Sequence, residues 1–384
     1  MMGFFTAPRF CFGTAALEQL SGLGMTRVIL VVDHAIAPTT QFTRIREEVA
    51  KTDARVETVS GIRVEPTLES VEHLAQAVRA FGPDGIVAVG GGSTIDTAKG
   101  AWVRYERPDL SLEELTPLTE LKLRTKARFV AMPTTAGSGS EATGIAYFHR
   151  PDRGLLEVGS REMEPDWALL DPHLLSTLPP AVLATTGMDA LAHALEAIAS
   201  EWATPFTDAL ARDAVGVLAR DLPRVVKHPG DIDFLGAVQA AAAMAGLAVA
   251  NAQLGATHAL AHALSAMFET PHAATVAVLL PYVVEFNFPA ARDRYQTLHG
   301  ALGPTAVQNK GSLGARLHLL GEQLGLPRSL TQVGIPVDRL RAQRARVIEL
   351  ASASPSLVGN PRMPSQEELG ALLDAAAAGD PSPF

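Results

Sequence analysis

The sequence predicts a two-domain protein: an α/β N-terminal domain on a mainly parallel β-sheet, residues 1–180, followed by an all-helical C-terminal domain, residues 181–384. Three observations carry this. The first half alternates short apolar, β-branched runs with segments of helical period, the pattern of a parallel sheet covered on both faces. At Leu178-Pro179-Pro180 the character changes, and long alanine- and leucine-rich helical patterns follow without a convincing strand. Finally, 384 residues exceed what one hydrophobic core usually serves.

Taken in order, "RVILVVD" (Arg27–Asp33), "RVETVSG" (Arg55–Gly61), "GIVAVGGG" (Gly85–Gly92) and "RFVAMPTT" (Arg128–Thr135) read as strands. Between the second and third, "TLESVEHLAQAVRAFG" is apolar at helical spacing and ends at Gly82-Pro83. The uncharged run from Phe234 to Phe268 imitates a membrane span. Gln239, Asn251, Gln253, His258 and His262 interrupt it, and its frequent alanine and glycine suit closely packed buried helices, so no membrane partner is expected.

A hydrophobic fraction of 47% and a charged fraction of 19% belong to a globular chain and exclude disorder throughout. The net charge of −9 is spread out, with no basic run to follow a phosphate backbone, so a small-molecule ligand is expected and nucleic acid is not. The one cysteine, Cys11, excludes an intramolecular disulfide and a thiolate metal cluster. The N-terminus lacks the pattern of a signal peptide, and a cytoplasmic protein is expected.

"GIVAVGGGSTIDTAKG" runs a strand into three glycines and then a helix. Gly90, Gly91 and Gly92 permit positive φ and close backbone approach, and the N-terminus of the following helix attracts an anion such as pyrophosphate. The spacing is not G-x-G-x-x-G, and the turn follows the third predicted strand, so the ordinary Rossmann fingerprint is absent. A tight structural turn is the plain alternative, and Ser93 with Asp96 has the spacing of a capping box. A second loop, "MPTTAGSGSEAT", offers Thr134, Thr135, Ser138 and Ser140. Two such loops at strand ends of one sheet favour a nucleotide site over coincidence. Asp33, ending the first predicted strand, is suited to a ribose hydroxyl pair and would repel a 2′-phosphate, which favours NAD over NADP. A turn or helix-capping aspartate is the alternative.

"GMDALAHALEAIAS" sets Asp189 and His193 one helical turn apart in an apolar run, and "GATHALAHALSAMFETPHAATVAVLLP" adds His258, His262 and His272. Each histidine alone reads as a core residue bonded to a carbonyl. Four imidazoles and a carboxylate on two apolar helical segments suit a divalent metal, Fe(II) or Zn(II).

At these residues the chain resembles the iron-containing (group III) alcohol dehydrogenases, whose relatives include glycerol dehydrogenase and dehydroquinate synthase. The resemblance runs from "RFCFG" to "NPR" at Asn360–Arg362, with "GGGSTIDTAKG", "PTTAGSGSE", "GMDALAHALEA" and "HALAHALSAMFETPHA" in family order and spacing. It implies a Rossmann-like sheet domain and a helical metal domain, with the metal at the cleft between them. By motif position Asp189, His193, His258 and His272 look like the metal ligands, and His262 like the extra histidine near the nicotinamide. Gly91, Gly92 and Ser93 match the pyrophosphate contacts, Thr134, Thr135 and Ser138 the second cofactor loop, and Asp96 lies toward the nicotinamide end. Two positions depart from the family. A lysine common before "PDWALLDP" is absent, its nearest counterparts being Arg153 and Leu155, and "PHA" at Pro271–Ala273 replaces the commoner "PHG", as in maleylacetate reductases.

The implied activity is metal-dependent, reversible hydride transfer between nicotinamide C4 and a small alcohol or carbonyl compound, with His262 helping to pass a proton to solvent. The alternative is a maleylacetate reductase or a reductase of another small acidic aldehyde or ketone. A dehydroquinate synthase-like lyase would need clustered Lys and Arg, which the two metal motifs lack. A non-catalytic NAD-binding protein would suit the loss of a ligand, yet all four positions are filled. The resemblance also implies a homo-oligomer, a dimer or larger, and "FFTAPRFCFG" is expected to offer a strand or a face to a partner chain.

Overall fold

A computed structural model of the chain describes residues 5–62, 66–116, 118–150, 154–298 and 313–379. The chain divides into two compact units, Met1–Leu178 and Pro179–Phe384. In the first, β1 (Arg9–Phe12), β2 (Arg27–Asp33), β3 (Arg55–Ile62), β4 (Gly85–Gly90), β5 (Arg128–Pro133) and β8 (Trp167–Leu170) form one sheet in the order β1-β8-β5-β4-β2-β3. Every pairing in it is parallel. A separate antiparallel hairpin joins β6 (Ile145–Arg150) to β7 (Gly154–Gly159).

The central strands are uninterrupted apolar runs because both faces are covered: Val28–Val32 of β2 and all of β4 are buried. Helices α1 (Thr40–Ala50), α2 (Leu68–Phe81) and α3 (Gly92–Glu106) connect them. Helix α2 opens on a reciprocal cap between Thr67 and Ser70 and stops at Gly82, whose φ of 65° is cheap only for glycine. Its Val71, Leu74, Ala75, Val78 and Phe81 enter a core in which Trp102 stacks on Phe129 at 5.2 Å and donates its indole N–H to the Ala127 carbonyl.

The segment at Arg9–Phe12, within the stretch expected to offer a strand or a face to a partner chain, pairs with β8 and forms the edge of its own chain's sheet. With it counted, Asp33 ends the second strand and the glycine turn follows the fourth. Strand β3 lies on one side of β2, while β4, β5 and β8 extend on the other, so the order reverses between β2 and β4. Val32 of β2 is level with Val89 of β4, and Gly90 with Pro133 of β5. Asp33, the glycine turn and the Thr134 loop therefore emerge side by side at the switch point, where open α/β sheets bind ligands.

The second unit comprises α4 (Pro180–Ala199), α5 (Pro205–Lys227), α6 (Ile232–Ala252), α7 (Ala256–Phe268), α8 (His272–Gln296), α9 (Leu313–Gln323), α10 (Leu330–Val333), α11 (Val337–Ser352) and α12 (Gln366–Ala378). No strand occurs among its described residues. Small residues let the helices approach closely: a Cβ on Gly187 of α4 would lie 2.4 Å from Leu222 of α5. Helices α6 and α8 are long and apolar enough to cross a membrane by length and composition, but 61% and 72% of those stretches are buried within the protein. What reads in sequence as one segment carrying His258, His262 and His272 is two helices, broken where Glu269 turns left-handed at φ 55° before Pro271.

Candidate metal centre and nucleotide cradle

Three helices build the cluster in the second unit. Helix α4 carries Asp189, His193 and Glu196 at spacings of four and three, hence on one face. Helix α7 carries His258 and His262, and α8 begins with His272. One ligand atom each from Asp189, His258 and His272 lies within 4.8 Å of the others. His258 Nε2 is 3.4 Å and His272 Nε2 3.9 Å from the same oxygen, Asp189 Oδ1. His193 completes the group less directly, its ring stacked on His258 at 4.5 Å. His262 sits against His272, ring centres 4.9 Å apart, with Nδ1 3.4 Å from the Ser356 hydroxyl.

Asp189 Oδ1, His193 Nδ1 and His258 Nε2 are buried with no hydrogen-bond partner. Such atoms are costly unless something else satisfies them, and a divalent cation beside Asp189 Oδ1 and His258 Nε2 does so with the donor set it prefers. Burial alone would raise the Asp189 carboxyl, but the surrounding imidazoles hold it well below the usual range. Burial pulls His193 down to about 4 and His262 well below its ordinary value, so both rings are neutral at pH 7 with a lone pair to offer. Burial opposes a charge on His258 too, but the Glu196 and Asp189 carboxylates overrule it and raise the ring to about 9, so its Nε2 would offer a lone pair only where a bound cation takes the place of the proton there.

In the first unit one of the two expectations for the glycine turn holds and the other does not. None of Gly90, Gly91 and Gly92 has positive φ. Their role is close approach: a Cβ would lie 2.6 Å from Thr94 at Gly90, 3.3 Å from Thr135 at Gly91 and 2.8 Å from Ser138 at Gly92. The two loops thus interlock through Gly91 and Gly92, while Gly90 makes room for Thr94 of the helix that follows. The capping-box reading of Ser93 and Asp96 does not hold, since Gly91 is the N-cap of α3 and no side chain caps it. No side chain therefore caps the N-terminus of this 15-residue helix, the end of a helix that attracts an anion. Thr134 and Ser140 are buried, and the Ser140 N–H donates to the Ser138 hydroxyl. Asp33 keeps a quarter of its side chain exposed and accepts the Ala35 N–H at 2.7 Å, so its turn role is present. Leu155 lies half-buried in β7, and Arg153 falls outside the described residues.

A parallel sheet with a glycine turn at its switch point, and a helical unit with a carboxylate buried among imidazoles, define a nucleotide-type α/β enzyme with a candidate metal centre. The chain belongs to the iron-containing alcohol dehydrogenase family and is an oxidoreductase acting on alcohols. The family model "Iron-containing alcohol dehydrogenase" matches residues 7–172, and "Fe-containing alcohol dehydrogenase family, C-terminal" matches residues 183–377. The chain is 31% identical over 382 residues to an NADPH-dependent butanol dehydrogenase of Clostridium saccharobutylicum, covering 98% of each. It is 33% identical over 385 residues to an alcohol dehydrogenase of Thermococcus barophilus, covering 98% of this chain and 99% of the relative. The solved structure of an iron-containing alcohol dehydrogenase from Thermococcus thioreducens matches with a TM-score of 0.88 at 32% identity, over 98% of this chain and all of that one. The family implies a metal and NAD(P), and small alcohols or aldehydes as substrates.

Within the site motifs, three buried charged groups carry roles that the sequence does not announce: Glu196, Lys99 and Glu141. Glu196 follows His193 by three residues on the same helix face, a spacing that could have flagged it. Lys99 and Glu141 lie within the quoted loop motifs but carry no signal of burial. Lys99 is fully buried, its ammonium donating to the carbonyls of Thr143 at 2.6 Å and Ile145 at 2.9 Å. Asp96 accepts the Tyr147 N–H at 3.1 Å, so α3 is stitched to the chain leaving the second loop. Burial pushes Asp96 up to about 6 against the pull of Lys99, Lys99 down to about 8, and Glu141 up to about 7. With its folded value above the unfolded 4.5, Glu141 contributes stability that is full below pH 4.5 and lost as pH rises through about 7. Glu141→Gln, neutral throughout, escapes that loss. Urea unfolding across this window should show the variant gaining on the parent as pH rises, by at most about 3 kcal/mol. A difference independent of pH would contradict the assignment.

Proposed function

We propose that the chain interconverts a small, uncharged alcohol and its aldehyde or ketone with NAD as hydride carrier, at one divalent metal held by Asp189, His193, His258 and His272. The observation that carries this is the pair of unpartnered buried atoms, Asp189 Oδ1 and His258 Nε2, 3.4 Å apart with His272 Nε2 beside them. A divalent ion there supplies Lewis acidity toward a substrate oxygen, and the nicotinamide supplies the hydride site. The family name favours Fe(II), while one carboxylate with imidazoles suits Zn(II) equally.

The residues of the chain do the rest. Asp189 brings the negative charge that holds the cation. His262, with Nδ1 in reach of the Ser356 hydroxyl, would take up a proton at Nε2 while releasing the one on Nδ1 to that hydroxyl. Gly90, Gly91, Gly92, Ser93, Thr134, Thr135, Ser138 and Ser140 form the cradle for the dinucleotide, with the α3 N-terminus toward its phosphates. Asp96, inward of that turn, orders the loop toward the nicotinamide end. Helices α4 and α7, and α8 as far as Arg292, contain no Lys or Arg, which favours an uncharged substrate over an acidic one. The relative from C. saccharobutylicum uses NADPH, but the Asp33 carboxylate at the switch point supports the opposite preference here. A cytoplasmic homo-oligomer completes the proposal.

Three measurements test this reading. His272→Ala should lose bound metal and turnover while NADH still binds the N-terminal unit, whereas His262→Ala should keep the metal and slow by about 10²–10⁴-fold. Elemental analysis with NADH kinetics reads both, and a chelated, metal-free protein working at full rate would defeat the proposal. Asp33→Gly should narrow the preference for NAD over NADP by about tenfold. A parent enzyme that uses NADPH as well as NADH would refute the role of Asp33. Light scattering at micromolar concentration should give a mass of at least two chains, a monomer being the contrary result.

A further inference from the structure

We propose that Glu196 is a positioning residue for the metal centre. Its carboxylate holds the ring of His258 with Nδ1 protonated, so that the Nε2 lone pair faces Asp189 and His272. The inference rests on the metal ligation proposed above.

Glu196 is buried on α4 and accepts from three donors at once. Its Oε2 lies 2.7 Å from His258 Nδ1 and takes the Gly255 N–H at 2.9 Å, and Oε1 takes the Thr257 N–H at 2.8 Å. A carboxylate already receiving two backbone N–H groups has no proton to give, so the proton on the His258 bond sits on Nδ1. The opposite ring nitrogen, Nε2, is the atom with no partner, 3.4 Å from Asp189 Oδ1. A ring bonded only at Nε2 would be free to pivot, and its tautomer would be unset. A partner on the far nitrogen removes both freedoms.

The same carboxylate also satisfies the first turn of α7, which has no side-chain cap on its N-cap residue, Gly255. Asn360 shares that task by accepting the Ala256 N–H at 3.0 Å, yet Asn360 has no bond to the His258 ring. The two residues therefore separate helix capping from ring orientation. Glycine at 255 is part of the arrangement, since a Cβ there would lie 3.1 Å from Glu196 Oε1.

The test compares Glu196→Gln with Asn360→Ala in the full-length protein. Zn(II) affinity is read by competition with a chromophoric chelator, thermal stability in the metal-free state, and the His258 ring N–H by NMR of the zinc-loaded protein labelled with ¹⁵N-histidine. Glu196→Gln should weaken Zn(II) binding by about 10–100-fold and move the Nδ1–H resonance upfield. Asn360→Ala should lower stability while leaving zinc affinity and that resonance unchanged. If Glu196→Gln fails to fold, Glu196→Asp, which withdraws the carboxylate by one methylene, carries the same comparison. Equal weakening by both variants would reduce Glu196 to a helix cap and overturn the proposal, as would a Glu196 variant with parental zinc affinity. A parent protein that takes up no zinc would overturn the metal reading, and this inference with it.

Discussion

The helical unit depends on the burial of Asp189 beside His258, two polar atoms 3.4 Å apart with no hydrogen-bond partner on either. An arrangement of this kind costs a few kcal/mol by itself, roughly, and apolar packing alone would not select it. It needs helix ends in particular places. His258 and His272 are fourteen residues apart (272 − 258), which in one continuous helix would separate them by about 21 Å along its axis. The break at Glu269 and Pro271 instead folds α8 back on α7, so both Nε2 atoms approach a single carboxylate oxygen. Alanine- and glycine-rich helix surfaces allow this, because bulky side chains would hold the helices farther apart.

The N-terminal unit solves a different problem, which is to bring backbone amides to one place without a side chain in the way. The bare glycines at 90, 91 and 92 admit Thr94, Thr135 and Ser138 into the space a Cβ would occupy. Lys99 and Asp96 then bind the start of α3 to the chain beyond the second loop, through Thr143, Ile145 and Tyr147. The cradle is thus assembled from two strand ends and held from beneath by the hydrogen bonds of two buried charged residues. Burial displaces the proton affinity of each from its ordinary value, and the charge of the other opposes that shift.

Both units share one device, a carboxylate that accepts two or three neighbouring backbone N–H groups and so pins a loop or the start of an element. Glu106 takes the amides of Thr125, Lys126 and Ala127, Glu162 those of Leu121 and Leu123, and Asp84 those of Thr26 and Arg27. Such bonds involve a full charge and are about twice as strong as neutral ones. Glu196 applies the same device to Gly255 and Thr257, with one change: its third donor is a ring nitrogen of the histidine that faces Asp189.

Much of this was legible in the sequence because it is local. Strands β2 to β5 and helix α2 follow from residue period and from Gly82, while the glycine turn and the Asp189–His193 pair are spacings within one element. Strands β1 and β8 were not legible, since four-residue strands become strands only by pairing, and Arg9 meets Trp167 across more than 150 positions of chain. Of the two uses the sequence offers for the glycines, freedom of φ is not taken up and close approach is, but the neighbours that demand it at Gly91 and Gly92 come from another loop, which no local pattern names. The sequence by itself determined the two-part architecture and which residue types would gather near a metal or a nucleotide. Only the tertiary structure decided which of those residues meet, through the helix break before His272, and which nitrogen of His258 carries its proton, through Glu196. Both depend on distances between helices, which no pattern along a single helix contains.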